Sequence, residues 1–186
     1  MTVPAPELDS VSPATPTPAL AGVPAVKFYR IGTTKLAALN FCTLGVYNVI
    51  WFSIQWGHWK AATGEKLSPG LRGVFGVIYA QPLFKRVKET LEADGDTPEF
   101  NPALLALLLF ALVSVSRLPA PYWLFTLFSF VPAQIVQRDI NRNARKHDRY
   151  AELNESWEWW SFLLASIGAV ILLLAIVGSF LPEARK

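Results

Sequence analysis

The side chains best suited to chemistry lie on one face of a long uncharged stretch near the start of the chain, residues 36–59. At about 100° per helical residue, its polar and amphipathic side chains share a sector of roughly 140°. These side chains are Asn40, Thr43, Tyr47, Asn48, Trp51 and Gln55. In lipid they must meet another helix or a wet cavity, because an unsatisfied amide in hydrocarbon costs several kcal/mol.

Two functions stay open for this polar face. Hydrogen bonding between helices, worth about 0.6 kcal/mol per contact in membranes, is the favoured interpretation. A pathway that handles a small solute or a lipid is the alternative. The stretch contains no Asp, Glu, Lys or Arg. Proton-coupled or ion-coupled transporters usually need such a residue at membrane depth, so coupled transport is disfavoured.

Basic side chains form a second candidate site, for anionic lipid headgroups or an acidic partner. Each basic residue near a membrane surface contributes about 1 kcal/mol to such binding, although the same charges also serve simply to set topology. The candidate contacts are Lys85, Arg86, Lys88, Arg138, Arg142, Arg145, Lys146 and Arg149. Because acidic residues interrupt the stretch 134–149, nucleic-acid binding is not expected.

Enzymatic signatures are scarce. The two histidines, His58 and His147, form no metal-binding frame, and the single cysteine, Cys42, lies in an apolar stretch. We therefore predict no catalytic residue, no metal and no cofactor. Glu155 and Glu158 leave an interfacial membrane enzyme as an alternative, since two carboxylates at a membrane surface could act as an acid and base pair.

The elements that must position these groups follow from the distribution of charge. Only 17% of the residues are charged, and 52% are apolar, against about 25% charged in typical soluble proteins. Charge is absent from four long stretches, and helices of about 20 such residues cross a bilayer. A soluble domain of 186 residues cannot wrap four apolar helices. We predict an all-α, polytopic membrane protein with transmembrane segments at 36–57, 102–116, 118–137 and 159–181.

Between the first two segments, residues 69–91 show apolar side chains at helical spacing. Their uncharged part is too short to span comfortably, so we predict an amphipathic interfacial helix kinked at Pro82, with a span as the alternative. Aromatic residues near the ends of the segments are typical of interfacial anchors. They are Trp56, Trp59, Tyr122, Trp123, Trp157, Trp159 and Trp160.

The chain divides into a membrane domain and two tails. Residues 1–26 hold six of the fourteen prolines and no aromatic residue, which predicts a disordered tail. This tract has no basic start and no unbroken apolar run, so we expect no cleavable signal peptide. Residues 27–182 then form a single membrane domain, followed by a short tail at 183–186.

Lysine and arginine predict the orientation. With four spans, the side holding loops 60–99 and 138–158 carries eleven of the seventeen basic residues. That side is expected in the cytoplasm and the C-terminus in the periplasm. If the first segment instead returns at the turn Thr43-Leu44-Gly45, the split becomes fourteen against three. Charge favours this re-entrant version and length favours a span, so both stay open.

Several motifs resemble one family. The residues Lys35-Leu36, Thr43-Leu44-Gly45-Val46-Tyr47, Trp51-Phe52 and Trp56, followed by Ser68-Pro69, Arg72 and Phe75, are similar to the small bacterial membrane proteins called domain of unknown function 4234. The likeness covers residues 28–90 well and Gln137, Ile140-Asn141 and Asn143 more weakly. It implies a bacterial multi-span protein without an assigned activity. Ser53-Ile54 depart from the family's aromatic and basic pair.

The expected function is accordingly coarse. We expect a non-enzymatic structural or interaction component of the bacterial inner membrane. Its partners would be the bilayer, including anionic lipids, and either further copies of the chain or another membrane protein.

Overall fold

The computed structural model of the chain describes residues 24–119, 121–147, 156 and 158–180. Over this range the secondary structure is helical and contains no strand, which confirms the all-α prediction. The α-helices are α1 (Thr33–Cys42), α2 (Val46–Thr63), α3 (Pro69–Val74), α4 (Gly76–Ala93), α5 (Pro102–Ser114), α6 (Val131–Lys146) and α7 (Trp159–Phe180). Two 3-10 segments, Val115–Arg117 and Tyr122–Phe130, lie between α5 and α6.

The first predicted segment is not one unbroken helix. Leu44 and Gly45 adopt φ angles of 54° and 85°, which a right-handed helix cannot accommodate. The amide of Gly45 donates to the carbonyl of Asn40 at 2.8 Å, a bond typical of a helix that ends and changes direction. The polar face predicted for a continuous helix is therefore divided between α1 and α2.

The chain returns after this turn toward the level at which it started. The extended residues Lys27 and Tyr29, which precede α1, contact the second half of α2. The carbonyl of Lys27 lies 2.7 Å from Nδ1 of His58, and the amide of Tyr29 donates to Oε1 of Gln55 at 3.1 Å. Helices α1 and α2 thus form a hairpin whose tip is the turn at residues 43–45. Val26, predicted to belong to the disordered tail, is buried in the core, whereas 1–23 and 183–186 lie outside the described residues.

Helix α7 packs against α1 at a glycine. A β-carbon added at Gly168 would lie 2.1 Å from the carbonyl oxygen of Cys42, so only glycine permits this approach. Near the start of α1, the Lys35 ammonium donates to the carbonyl of Ser156, which precedes α7, at 2.7 Å. The tip of the hairpin therefore reaches the middle of α7.

A second close approach joins α3 to α2. A β-carbon at Gly73 would lie 2.6 Å from the carbonyl oxygen of Val49, and one at Gly76 would lie 3.0 Å from the Phe52 ring. The helix breaks between them, at Phe75, and α4 then runs through Pro82 without ending. Pro82, where a kink was predicted, lies inside α4, and the helical stretch 69–91 breaks at Phe75, where the chain is drawn against α2.

The third predicted segment, 118–137, is also not a single α-helix. Pro119, Pro121 and Pro132 lack the amide hydrogens that a continuous α-helix needs. The chain instead forms the 3-10 segment Tyr122–Phe130 and enters α6 at Val131. Helix α6 then continues through the basic stretch as far as Lys146.

Apolar surface is exposed over much of the described chain. Among the described helices, one is long and apolar enough to cross a bilayer: its window Ser161–Gly178 has a mean hydropathy of 2.6, and only 17% of it is buried. A shorter apolar helix covers Pro102–Arg117. Several large side chains of α5 and of Tyr122–Phe130 are also exposed, among them Leu104, Phe110 and Phe125. The core lies instead around Trp51, Phe52, Trp56, Leu83 and Phe84.

The glycine contact between α2 and α3 gives a testable consequence. We expect Gly73→Ala to lower the free energy of unfolding in mild detergent by about 1–3 kcal/mol, because the added methyl group overlaps the Val49 carbonyl and Ser53. Gly70→Ala is the matched control. Gly70 lies in the same helix, and no neighbouring atom lies within 4 Å of a β-carbon added there. Equal stability of the two variants would contradict this packing.

Candidate functional site

The polar face of α2 meets the amide of Gln137, which is fully buried on α6. Oε1 of Gln137 accepts hydrogen bonds from Nε1 of Trp51 at 2.8 Å and from Nε2 of Gln55 at 3.1 Å. Nε2 of Gln137 donates to the Tyr29 carbonyl at 3.1 Å and to Oδ1 of Asn141 at 2.9 Å. All four hydrogen-bonding positions of this amide are filled.

This junction also fixes the extended segment that precedes α1. Nε2 of Gln55 donates to the Tyr29 carbonyl at 3.1 Å, and Nδ2 of Asn141 donates to the Ile31 carbonyl at 2.8 Å. Backbone groups that have no helical partner thus find side chains on α2 and α6. We call Tyr29, Trp51, Gln55, Gln137 and Asn141 the amide junction.

The remaining members of the predicted face lie nearer the hairpin tip. Asn40 and Thr43 donate to backbone carbonyls one turn back in α1, and the Thr43 hydroxyl accepts the Tyr47 amide. Asn48 donates through Nδ2 to the Ser129 carbonyl at 3.2 Å, which ties α2 to the 3-10 segment. The structure therefore joins Trp51 and Gln55 in one network and leaves Asn40, Thr43, Tyr47 and Asn48 outside it.

Trp56 and Trp59 do not have the exposure that interfacial anchors need. Trp56 is 0% exposed, and the guanidinium carbons of Arg72 and Arg86 lie 4.3 and 5.1 Å from the centre of its ring. Trp59 is buried and donates through Nε1 to Glu65 at 2.8 Å. Stacking of arginine on aromatic rings holds both tryptophans inside the protein, so their assignment as anchors is corrected.

Glu65 organises this tryptophan and arginine cluster. Its carboxylate accepts from Nη1 of Arg86 at 2.7 Å and lies 3.8 Å from Nη2 of Arg72. The hydrogen bond from Arg86, together with that from Trp59, lowers the pKa of Glu65. Arg86 therefore contacts the protein's own carboxylate, whereas it was predicted to contact a lipid headgroup.

Asp96 forms a second internal ion cluster. This buried carboxylate pairs with Lys146 and lies 3.6 Å from Nε of Arg142, which joins the loop before α5 to the end of α6. Arg142 also lies 3.5 Å from Asp139, which precedes it by three residues on α6. Burial raises the pKa of Asp96, but the hydrogen bond from Lys146 and the nearby cations outweigh it, so the pKa of Asp96 is lowered.

The other predicted lipid contacts differ in exposure. Arg138 and Arg145 are exposed on α6, while Lys85 and Lys88 lie within 4 Å of Glu89 and Glu92 one turn further along α4. Tyr122 and Trp159 are exposed, and Trp123 is half-buried. Arg149, Trp157 and the side chain of Trp160 lie outside what the structure describes.

Sequence reasoning missed the ion clusters and a cavity. Asp96 and Glu65 each acquire cations that are distant along the chain, and no local pattern indicates such pairs. A cavity of about 300 Å³ lies beside the hairpin tip and is lined by Asn48, Thr126 and Ser129 among mostly apolar residues. Across the described ranges, no group of three His, Cys, Asp or Glu side chains is arranged to hold a metal ion.

Comparisons with known proteins give no relative: no protein-family model, curated protein or solved structure matches the chain.

The Asp96 cluster predicts a pH-dependent stability. Because the pKa of Asp96 is lowered on folding, its contribution is present above the ordinary carboxyl value of about 3.9 and is lost as the pH falls through the folded value. We expect Asp96→Asn to cost about 2 kcal/mol of unfolding free energy at pH 7 and progressively less in acid.

Glu99→Gln is the control for this measurement, because Glu99 is an exposed carboxylate in the same loop. Unfolding in detergent at a series of pH values should show no effect of the control at pH 7. Equal stability of Asp96→Asn and the unchanged chain at pH 7 would contradict the role of the cluster.

Proposed function

We propose that this chain is an integral membrane protein that serves as a non-enzymatic structural or interaction component of a bacterial inner membrane. The observation that carries the proposal is the exposed apolar surface of α7, α5 and the 3-10 segment Tyr122–Phe130. Monomeric soluble proteins rarely expose apolar patches of this extent, and lipid would cover them without cost.

The helix lengths support a membrane domain with fewer full spans than the four uncharged stretches suggest. At about 1.5 Å per residue, the 22 residues of α7 extend about 33 Å, enough to cross a hydrocarbon core of about 30 Å. The second and third spans of the proposal, 102–116 and 118–137, form a hairpin with Arg117 near its outer tip. The pairing of Asp96 with Lys146 at the other end of this hairpin supports that arrangement.

The first segment is best explained as a re-entrant hairpin. Its tip lies against Gly168, the middle of α7, and its two ends come together at the contacts of Lys27 with His58 and of Tyr29 with Gln55. Irregular backbone at membrane depth is tolerated where protein covers it. This arrangement gives fourteen basic residues on the side of loops 60–99 and 138–158, which is the cytoplasmic side in the proposal, and three on the periplasmic side with the C-terminus.

The hydrogen bonds of the amide junction support a structural role for Trp51 and Gln55 of the polar face. The side chains of Trp51, Gln55 and Gln137 form hydrogen bonds with one another and with backbone groups. Partners would then bind elsewhere: anionic lipids at the exposed Arg138 and Arg145, and another membrane protein or a second copy on the apolar surface. The motifs quoted above from residues 28–90 support membership of the family called domain of unknown function 4234.

A second candidate function is the handling of a small solute or a lipid. One observation favours it: a cavity of about 300 Å³ beside the hairpin tip is lined by Asn48, Thr126 and Ser129 among mostly apolar residues.

Membrane residence and topology test the proposal together. We expect the full chain to stay with the membrane pellet after alkaline carbonate extraction, because lipid covers its apolar helices. Reporter fusions after residues 5 and 65 should both report the cytoplasm, and fusions after 117 and 186 should both report the periplasm.

Two outcomes would contradict this account. Release of the chain by carbonate would contradict membrane embedding. A periplasmic reporter after residue 5 combined with a cytoplasmic one after 65 would contradict the re-entrant hairpin and favour a full first span.

A further inference from the structure

The chain between Glu65 and Arg86 leaves one end of α2 and returns to it. Glu65 follows the end of α2, and its carboxylate accepts from Nη1 of Arg86 at 2.7 Å. Between them, a β-carbon added at Gly73 would lie 2.6 Å from the carbonyl oxygen of Val49, which is near the start of α2. Residues 65–86 therefore run along α2 toward its start and come back, and we call them the second hairpin.

The tip of the second hairpin lies beside the tip of the first. Phe75 separates α3 from α4 and marks the change of direction. Leu44 and Val46 at the first tip line the same cavity as Val74 and Val77 at the second. The two tips are therefore neighbours, and the first of them lies against the middle of α7.

Charge is confined to the base of the second hairpin. Between Lys66 and Lys85 the only charged residue is Arg72. Its Nη2 lies 3.8 Å from the Glu65 carboxylate, and its guanidinium carbon lies 4.3 Å from the centre of the Trp56 ring. The side chain of Arg72 thus extends from the tip back to the base, as arginine does where its backbone dips into an apolar phase.

The apolar side chains of the second tip face outward. Four of them are more than half exposed: Leu71 at 61%, Val74 at 63%, Phe75 at 52% and Ile78 at 71%. This surface continues into Val46 at the first tip, which is 62% exposed, and into α5 through the cavity that Val74 shares with Leu109. Lipid is the proposed cover of those neighbouring surfaces, so acyl chains are the occupant that fits the whole patch.

We propose that the second hairpin inserts its tip among the acyl chains of the cytoplasmic leaflet and returns without crossing the bilayer. The depth follows from Arg72: its side chain and that of Glu65 together join the tip to the charged base. A crossing would require about 30 Å, whereas an apolar face of this kind is typically buried about 5–10 Å into the boundary of headgroups and acyl chains. Residues 69–91 are then neither a flat interfacial helix nor a span, the two arrangements that the sequence left open.

The inference rests on the proposed membrane embedding and deepens it, because it names the leaflet and the side chains that contact lipid. Both hairpins enter from the side of loop 60–99, and α7 crosses. Helices α1 to α4 accordingly contact one leaflet only.

A single fluorophore at the tip tests the insertion. The experiment uses the full chain in phosphatidylcholine vesicles, with Cys42→Ala removing the one natural cysteine. An environment-sensitive fluorophore is then attached to Phe75→Cys. We expect a nitroxide at the middle of the lipid acyl chain to quench it strongly, and iodide in the water to leave its fluorescence unchanged. Val74→Cys, also at the tip, should behave alike and serves if Phe75→Cys does not fold.

Lys85→Cys is the matched control, because its side chain is 64% exposed on the same helix, next to the base residue Arg86. Its fluorophore should be quenched by iodide and less by the mid-chain nitroxide than the fluorophore at the tip. In vesicles of one orientation, a membrane-impermeant thiol reagent on the cytoplasmic face should react with both Lys85→Cys and Lys66→Cys, since the hairpin begins and ends on that face.

Three results would overturn the inference. The first is quenching of the Phe75→Cys fluorophore by iodide. The second is protection of that fluorophore from both quenchers, because the tip is then covered by protein such as a second copy of the chain. The third is reaction of Lys66→Cys and Lys85→Cys on opposite faces. Carbonate extraction separates the two proposals: release of the chain overturns embedding, whereas any of the three results in a membrane-resident chain overturns the second hairpin alone.

Discussion

The amide of Gln137 holds together three parts of the chain that are far apart in sequence. It accepts from Trp51 and Gln55 on α2, and it donates to the carbonyl of Tyr29 in the segment before α1. A buried network that is fully satisfied specifies one arrangement, because any shift of its members leaves a donor or acceptor without a partner. The return of the first segment on itself depends on this constraint, since the same atoms join its beginning to the far half of α2.

The polar face of α2 consequently divides into two parts with different chemistry. At the junction end, Trp51 and Gln55 are engaged by Gln137 and by backbone groups. At the tip end, Asn48 keeps an unpartnered acceptor beside a cavity. The hydrogen bonds of Trp51 and Gln55 fix the helix at the junction end, and Asn48 ties its other end to the 3-10 segment through the Ser129 carbonyl.

Helical periodicity and composition were sufficient to predict the parts of the fold that local chemistry determines. They indicated the all-α class, and they offered Thr43-Leu44-Gly45 as a turn in one of the two alternatives that the sequence left open; the structure has positive φ angles at Leu44 and Gly45. The prolines that interrupt 118–137 were visible in the sequence, but the apolar count outweighed them in the prediction of one span.

Long-range contacts account for what the sequence could not indicate. From the sequence, Trp56 resembles an interfacial anchor, but Arg72 and Arg86 stack on its ring. Arg86 likewise resembles a lipid contact, but it donates to Glu65. The break at Phe75 follows from the close approach of Gly73 to α2, which depends on the partner helix. Such pairings join residues 16 or more positions apart, and no window of a single helix contains both partners.

A double-mutant cycle between Trp51 and Gln137 tests the central constraint most directly. Trp51→Phe, Gln137→Leu and the double variant would be unfolded in the same detergent, and their free energies of unfolding compared with that of the unchanged chain. If the amide of Gln137 joins α2 to α6, the two substitutions should be coupled by about 1 kcal/mol. Additive effects, within about 0.3 kcal/mol, would contradict the account.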